Sequence, residues 1–144
     1  MQTVRDILKK KGSEFYSVTP DTSVYDALKL MAERNIGAVL VLDVGRPVGI
    51  LSERDYARQV VLKGKASKDT PVREIMTSRV VFVRPEQSVE ECMALMTDRR
   101  IRHLPVLEAG LLTGIISVGD VVKEVISEKQ YQIDQLVNYI SSGG

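Results

Sequence analysis

The chain has 144 residues, of which 44% are hydrophobic and 27% charged, a balance typical of one globular domain or of two small units with a shared core. The formal net charge of +1 provides no field that would attract nucleic acid or an anionic membrane. The chain has a single cysteine, which excludes an internal disulfide. Because it also has only one histidine, a Cys/His zinc cluster is excluded as well. With no signal peptide and no apolar run long enough to span a bilayer, we expect a cytoplasmic protein.

In the first half of the chain, apolar spacing and turn residues predict a short helix followed by elements in the order β-α-β-β-α. Two serines, Ser23 and Ser52, are each followed three residues later by an aspartate, the capping-box pattern of a helix start. The predicted elements are a helix at 4–11, an extended segment at 16–19, a helix from Ser23, strands at 38–42 and 48–51 around a turn at 45–47, and a helix from Ser52 to Leu62.

The second half of the chain repeats the first. Residues 18–55 align with residues 83–120 without a gap, at an offset of 65 residues. Both copies end in the pattern Gly, two apolar residues, Ser, two variable residues and Asp, at Gly49–Asp55 and Gly114–Asp120. Upstream, Val4–Leu8 matches Val72–Met76 with a further shift of three residues. One copy alone would have a marginal core, whereas two can bury both apolar runs against each other.

The duplication predicts the same elements in the second copy, with strands at 104–107 and 113–116. The helix that follows is predicted to bury Val118, Val121, Val122, Val125 and Ile126. Apolar residues at helical spacing then predict a separate amphipathic helix over 128–140 and a disordered tail from Ser141. We therefore divide the chain into a first repeat with the N-terminal helix (1–66), a second repeat (67–127) and a C-terminal segment (128–144).

Three duplicated patterns carry a family resemblance: V-x-P-x-x-S-V-x-x-A-L at a helix start, the strand I-x-x-h-x-V, and G-h-h-S-x-x-D, where h is apolar. Together they resemble a tandem pair of CBS domains, the cystathionine-β-synthase-type module, from Thr3 to about Ser127. The resemblance implies an α/β (α+β) fold of two β-α-β-β-α repeats packed through their sheets with pseudo-two-fold symmetry, plus flanking helices. Because the resemblance covers nearly the whole chain, we expect a free-standing module with no catalytic or transport domain attached.

The resemblance further implies adenosine ligands in two clefts between the repeats. The Ser and Asp of G-h-h-S-x-x-D would hold the ribose, because a carboxylate can accept hydrogen bonds from both vicinal hydroxyls. Backbone groups before the first buried strand would meet the adenine, and a helix N-terminus would favour a phosphate. One cleft would combine Thr22, Gly37 and Ala38 with Ile115, Ser117 and Asp120; the other would combine Gln87, Arg102 and His103 with Ile50, Ser52, Arg54 and Asp55.

The two implied clefts differ in charge and shape. Arg54, Arg102 and His103 form a cationic group suited to phosphates in one cleft, whereas Gly119 stands at the position of Arg54 in the other. Gln87 takes the place of Thr22, and Leu40 that of Pro105.

Simpler structural interpretations exist for several of these residues. The spacing of Ser-x-x-Asp alone favours an ordinary capping box, whereas the family resemblance favours a ligand contact. The run Lys9–Lys11 is expected to be a solvated helix face, and Cys92 to be buried and inert.

Enzymatic interpretations lack their motifs. Gly114 and Gly119 have P-loop spacing, but Asp120 and Val121 follow where Lys and Ser or Thr are required. No nucleophile elbow surrounds a serine, no carboxylate cluster has metal-ligand spacing, and no basic stripe indicates nucleic-acid binding. We therefore expect no enzymatic activity, no metal requirement, and neither nucleic acid nor membrane as a partner.

The favoured interpretation is a regulatory module that senses energy or redox state by binding an adenine nucleotide, with AMP as first choice and ADP, ATP or NAD(H) as rivals. Binding would change how two modules pair, or how one module docks on an unknown protein partner. The resemblance implies a homodimer shaped as a flat disc of four repeats. The alternative is a structural module that has lost its ligand and acts through dimerisation alone; a nucleotide hydrolase is a weaker third option.

Overall fold

The structure, a computed structural model, describes residues 2–143, which divide into two compact units. The first-repeat unit is Phe15–Val80, and the second-repeat unit joins the segment up to Glu14 with the segment from Val81 onward. The helix at the start of the chain thus packs with the second repeat, whereas the predicted division followed the chain and placed it with the first. Both units have the mixed α/β fold that the sequence predicts.

The first-repeat unit contains a three-stranded sheet. Strand β1 (Ser17–Val18) pairs in parallel with β2 (Ala38–Asp43), which pairs antiparallel with β3 (Arg46–Ser52). Helix α2 (Val24–Arg34) connects β1 to β2. After β3 come helix α3 (Glu53–Tyr56), a π-helical turn (Ala57–Val61) and a 3-10 turn (Val72–Glu74), so the helix predicted over 52–62 is present but more than half of it is not α-helical.

The apolar stripe of α2 and the continuous apolar run of β2 form the core of this unit, as their sequence patterns predict. Val24, Ala27 and Met31 are buried on one face of α2, and they share a cluster with Val39 and Val41. Residues 38–41 are buried in succession, as expected of a strand covered on both faces.

Both hairpin turns are tighter than predicted. Val44 and Gly45 have φ of 50° and 77°, and Ala109 and Gly110 have φ of 52° and 79°. Two successive residues with positive φ form a two-residue turn whose twist matches that of the flanking strands. Residues 46 and 47 consequently belong to β3, and Pro47 is tolerated there because the register shifts next to it, between Val41 and Leu42.

The second-repeat unit contains α1 (Val4–Lys11), α4 (Val89–Arg99), β4 (His103–Glu108), β5 (Leu111–Ser117) and α5 (Val118–Gly143). Strands β4 and β5 pair antiparallel, and in place of a β1 equivalent the structure has a single parallel bridge from Val83 to Val106. Helix α5 is continuous where two helices and a disordered tail from Ser141 are predicted, since no glycine or proline interrupts 120–140. Gly144 lies outside the described residues.

Helix α1 completes the core of the second-repeat unit. Val4, Ile7 and Leu8 are buried in one cluster with Cys92 and Val121. The start of α1 is fixed by backbone hydrogen bonds from Val4 N to Gln87 O and from Arg5 N to Pro85 O, both 2.9 Å long. Burial raises the pKa of the Cys92 thiol to about 11, which keeps this cysteine protonated, as its predicted inertness requires.

The prediction that α5 buries its whole apolar set is wrong for two residues. Val121 is buried and Val118 and Val125 pack partly against the core, but Val122 is 48% exposed and Ile126 62% exposed. Residues one position further along a helix are rotated by about 100°, so these two lie on the neighbouring flank rather than on the buried face.

Gly49 of β3 provides a test of packing in the first-repeat unit. A Cβ at this position would lie 2.5 Å from Met76 Sδ and 3.1 Å from the carbonyl oxygen of Thr77. We expect Gly49→Ala to lower the free energy of unfolding by about 1–3 kcal/mol, measured by urea denaturation, because the strand must move away from that backbone. Gly119→Ala is the control: its Cβ would meet Ser117 Oγ at 3.6 Å, and stability should stay equal or rise by up to about 1 kcal/mol. Equal stability of the two variants would contradict the packing argument.

Candidate functional site

The Asp55 motif, Gly49–Asp55, lies at the junction of β3 and α3. Ser52 ends the strand in extended conformation and caps the helix: its Oγ accepts a hydrogen bond from Asp55 N at 3.2 Å. Asp55 Oδ2 returns the contact by accepting from Ser52 N at 3.0 Å and from Ser52 Oγ at 3.1 Å. The capping-box interpretation is therefore confirmed, and it fixes the carboxylate at the strand-to-helix junction.

Thr77 adjoins the Asp55 motif, a contact that the sequence analysis missed. Two backbone hydrogen bonds join it to Ile50: Ile50 N donates to Thr77 O at 3.0 Å, and Thr77 N donates to Ile50 O at 2.9 Å. Its Oγ1 donates a long hydrogen bond of 3.4 Å to Asp55 Oδ1. The match between Val4–Leu8 and Val72–Met76 could have indicated this position, because Thr77 directly follows the repeated segment.

The Asp120 motif, Gly114–Asp120, has the same geometry at the junction of β5 and α5. Asp120 Oδ2 accepts from Ser117 N at 2.8 Å, and Ser117 Oγ accepts from Asp120 N at 3.2 Å. A cation is added here: Lys11 Nζ lies 2.6 Å from Asp120 Oδ2 and 2.6 Å from the carbonyl oxygen of Ile115. Lys11 thus contacts two of the predicted ligand-binding residues of this motif.

All three lysines of α1 are exposed, as expected of a solvated helix face, but two of them also form ion pairs that the sequence did not predict. Lys10 pairs with Glu124, and Lys11 pairs with Asp120. Glu124 is 4% exposed and Lys10 is 58% exposed, so the lysine reaches from solvent to neutralise a buried carboxylate. The periodicity of α1 predicted the helix but could not predict that α5 would supply two acidic partners.

The charges around Asp120 shift two pKa values. Burial raises the pKa of Asp120, but hydrogen bonds from Lys11 and Ser117 and the charge of Lys11 outweigh it, so the pKa lies below its ordinary range. Burial lowers the pKa of His103, and the positive charges of Lys11 and Arg102 lower it further against the opposing effect of Asp120. The His103 imidazole is therefore neutral at pH 7, so it adds no positive charge to the predicted cationic group. The other two members of that group, Arg54 and Arg102, are exposed.

The predicted adenine-side residues lie beside the serines of their own units. In the strand register, Ala38 is opposite Ser52 and His103 is opposite Ser117. The carbonyl oxygen of Gly37 accepts from Glu53 N at 3.1 Å, and that of Arg102 accepts from Val118 N at 3.0 Å. Both helices are thus fixed in the same way to the start of a strand, and the predicted combination of residues from both repeats in one cleft stays a prediction.

Thr22 and Gln87 occupy equivalent turns although their chemistry differs. Thr22 Oγ1 accepts from Thr19 N at 3.1 Å, and Gln87 Oε1 accepts from Arg84 N at 2.8 Å. The substitution noted in the sequence therefore conserves the turn, because both side chains offer an oxygen to the amide three residues upstream.

The first-repeat unit also contains a groove of about 460 Å³ next to its predicted adenine-side backbone. Its lining comes from α2, from the connection between α2 and β2, and from α3, and consists of Leu28, Met31, Ala32, Asn35, Ile36, Gly37, Glu53 and Tyr56. Gly37 is the predicted site residue among them.

Comparison with known proteins identifies the family. The CBS-domain family model matches residues 4–62 and 72–127. The chain belongs to the CBS-domain family. It is 40% identical to the CBS domain-containing protein CBSX3, mitochondrial, of Arabidopsis thaliana, over 98% of this chain and 73% of that protein. It is 31% identical to the CBS domain-containing protein YhcV of Bacillus subtilis, over 90% of this chain and 89% of that protein.

A solved CBS-domain structure confirms the fold. A protein with CBS domains from Burkholderia ambifaria superposes with a TM-score of 0.85 at 56% identity, over 88% of this chain and 95% of that one. CBS-domain pairs generally have regulatory roles. Within residues 2–143, no helix is both long and apolar enough to cross a bilayer, and no group of three or more His, Cys, Asp or Glu side chains is placed to hold a metal ion.

The Lys11–Asp120 pair makes the pKa of Asp120 a measurable test of this site. Lys11→Met removes the ammonium while the burial of Asp120 persists, so we expect the pKa of Asp120 to rise above its wild-type value in a carbon-13 NMR titration. The pKa of Asp6 is lowered mainly by its bond from the Thr3 backbone and should not move, which provides an internal control.

The sign of the effect on stability follows from the direction of the shift. Because the folded-state pKa of Asp120 lies below its unfolded value, this group stabilises the fold above the unfolded pKa, and the stabilisation is lost as pH falls through the folded pKa. In Lys11→Met that acid-range loss should be smaller. An Asp120 pKa that is the same in both proteins would show that the ammonium is not bound to it in solution.

Proposed function

We propose that this CBS-domain pair is a regulatory module that binds an adenine nucleotide, with AMP as first candidate, through the Asp55 and Asp120 motifs. One observation carries the proposal: the same serine–aspartate arrangement is built twice, each time at a strand-to-helix junction. Capping alone needs no aspartate at both junctions, since a serine already satisfies a helix amide.

The chemistry of the junction suits a ribose. A carboxylate has lone pairs for several donors, and vicinal hydroxyls supply two donors at matching separation. In each motif an apolar residue two positions before the serine (Ile50 or Ile115) is partly exposed, so a nucleoside could pack against it. Exposed Arg54 and Arg102 supply positive charge for the phosphate. ADP, ATP and NAD(H) share this chemistry and remain rival ligands.

A regulatory effect requires that nucleotide binding changes an interaction with another protein. The second half of α5 exposes Ile133, Leu136, Val137 and Ile140, each between 53% and 62%. A row of exposed apolar residues at helical spacing is typical of a surface that pairs with another chain. We therefore propose that the module forms a homodimer, or docks on a protein partner, and that nucleotide alters this packing.

Isothermal titration with AMP, ADP, ATP and NADH tests the proposed function. We expect wild-type protein to bind at least one of them, and Asp55→Ala and Asp120→Ala each to remove or weaken one binding event by about 10–100-fold, since each loses charged hydrogen bonds to the ribose. Asp26→Ala is the matched control: this aspartate also stands three residues after a helix-capping serine, Ser23, but outside both motifs. Its affinity should equal that of wild type.

A ligand-free dimerisation module is the second candidate. It is favoured by the observation that both capping boxes are complete without any ligand and that α5 exposes its apolar row. Under this alternative, none of the four nucleotides at millimolar concentration produces heat, and the oligomeric state measured by analytical ultracentrifugation is the same with and without them. That combined result would replace the nucleotide-binding proposal.

A further inference from the structure

The two motifs differ in what already contacts their aspartates. Asp120 carries the ammonium of Lys11 at 2.6 Å, and the same ammonium bonds the Ile115 carbonyl oxygen at 2.6 Å. Asp55 has instead the neutral hydroxyl of Thr77, at a long 3.4 Å. Both aspartates keep the bond from their own serine amide, so the difference lies in one neighbouring side chain.

We propose that Lys11 determines which motif binds nucleotide: it competes with the ribose for Asp120 and so makes the Asp55 motif the stronger site. This inference rests on the proposed function. A ribose whose two vicinal hydroxyls donate to both oxygens of Asp120 has to displace the ammonium from Oδ2. The ammonium also attracts the carboxylate by its opposite charge, which a neutral hydroxyl lacks, so the exchange is unfavourable. At Asp55 the ribose displaces only a weak hydroxyl contact.

The position of Lys11 is set by the fold. The preceding residue, Lys10, is tied to the buried carboxylate of Glu124 through both oxygens, at 3.1 and 3.2 Å. Glu124 lies one helical turn after Asp120 on α5, so the last turn of α1 is anchored alongside the Asp120 motif. Gly12, with φ of 99°, then ends α1 directly after Lys11. Lys11 is one-third exposed and Asp120 17% exposed, so water screens the pair only in part.

Because Lys11 contacts Asp120 before any ligand binds, the two repeats respond differently to nucleotide. A lysine that bridges a carboxylate and a carbonyl satisfies both acceptors in the absence of ligand. The Asp120 motif therefore fills only at higher nucleotide concentration, while the Asp55 motif fills first. Two affinities in one chain extend the concentration range over which such a module responds.

Isothermal titration with AMP in an Asp55→Ala background isolates the Asp120 motif. We expect Asp55→Ala to bind AMP weakly, and Asp55→Ala/Lys11→Met to bind it about tenfold more tightly, because the competing ammonium is gone. Asp55→Ala/Lys11→Arg should stay weak, since it keeps the cation. Asp55→Ala/Lys9→Met is the matched control: it removes one positive charge from the same helix at a position outside the motif, and its affinity should equal that of Asp55→Ala.

The outcomes separate this inference from the proposed function. If wild type binds AMP but Lys11→Met does not tighten binding in the Asp55→Ala background, the competition is refuted and the proposed function stands. If Lys11→Met weakens binding there, Lys11 is a nucleotide contact, which also overturns the inference. If wild type binds none of AMP, ADP, ATP and NADH, the proposed function fails, and the inference with it. Thermal unfolding verifies that each variant is folded, and Lys11→Gln provides a second neutral variant.

Discussion

The reciprocal bond between a serine at the end of a strand and an aspartate in the first turn of the next helix is the constraint on which the rest of this molecule depends. It turns the chain sharply from strand to helix and leaves a charged group at the turn. The glycine three residues before each serine belongs to the same arrangement, because a side chain there would meet Met76 in one unit and Leu8 in the other. Stability and the proposed binding chemistry therefore reside in the same few residues.

The two junctions differ through their neighbours as well as through their own sequence, in which Gly119 stands where the other motif has Arg54. The segments that follow the two matching stretches, Val4–Leu8 and Val72–Met76, both reach the junction of their unit, but one brings a lysine and the other a threonine. Serine and aspartate are identical in the two motifs, so their environment sets the charge that a ligand meets. A duplicated motif can thus acquire two different environments while its serine and aspartate stay the same.

Sequence patterns were sufficient for much of the fold, for definite physical reasons. The buried run of β2 and the apolar stripe of α2 were predictable because apolar patterns report burial directly. The capping box of Ser52 and Asp55 was predictable because its two residues lie only three positions apart. What could not be predicted depends on long-range packing. The pairing of Lys11 with Asp120 joins residues far apart in the chain, and the exposure of Val122 and Ile126 depends on which flank of α5 the core covers. The length of α5 was also not predicted, because it results from the absence of glycine and proline over 120–140 and not from a pattern that indicates one long helix.

The placement of α1 has a consequence for how the protein is made. The first-repeat unit is contiguous in sequence, so all of its residues are available for folding once residues 15–80 have left the ribosome. The other unit combines a helix that precedes the first-repeat unit in the chain with elements that follow it, so its core can close only after Val121 has been synthesised. Until then Val4, Ile7 and Leu8 lack the core residues against which they pack, so the apolar face of α1 stays unburied while the whole first-repeat unit is synthesised.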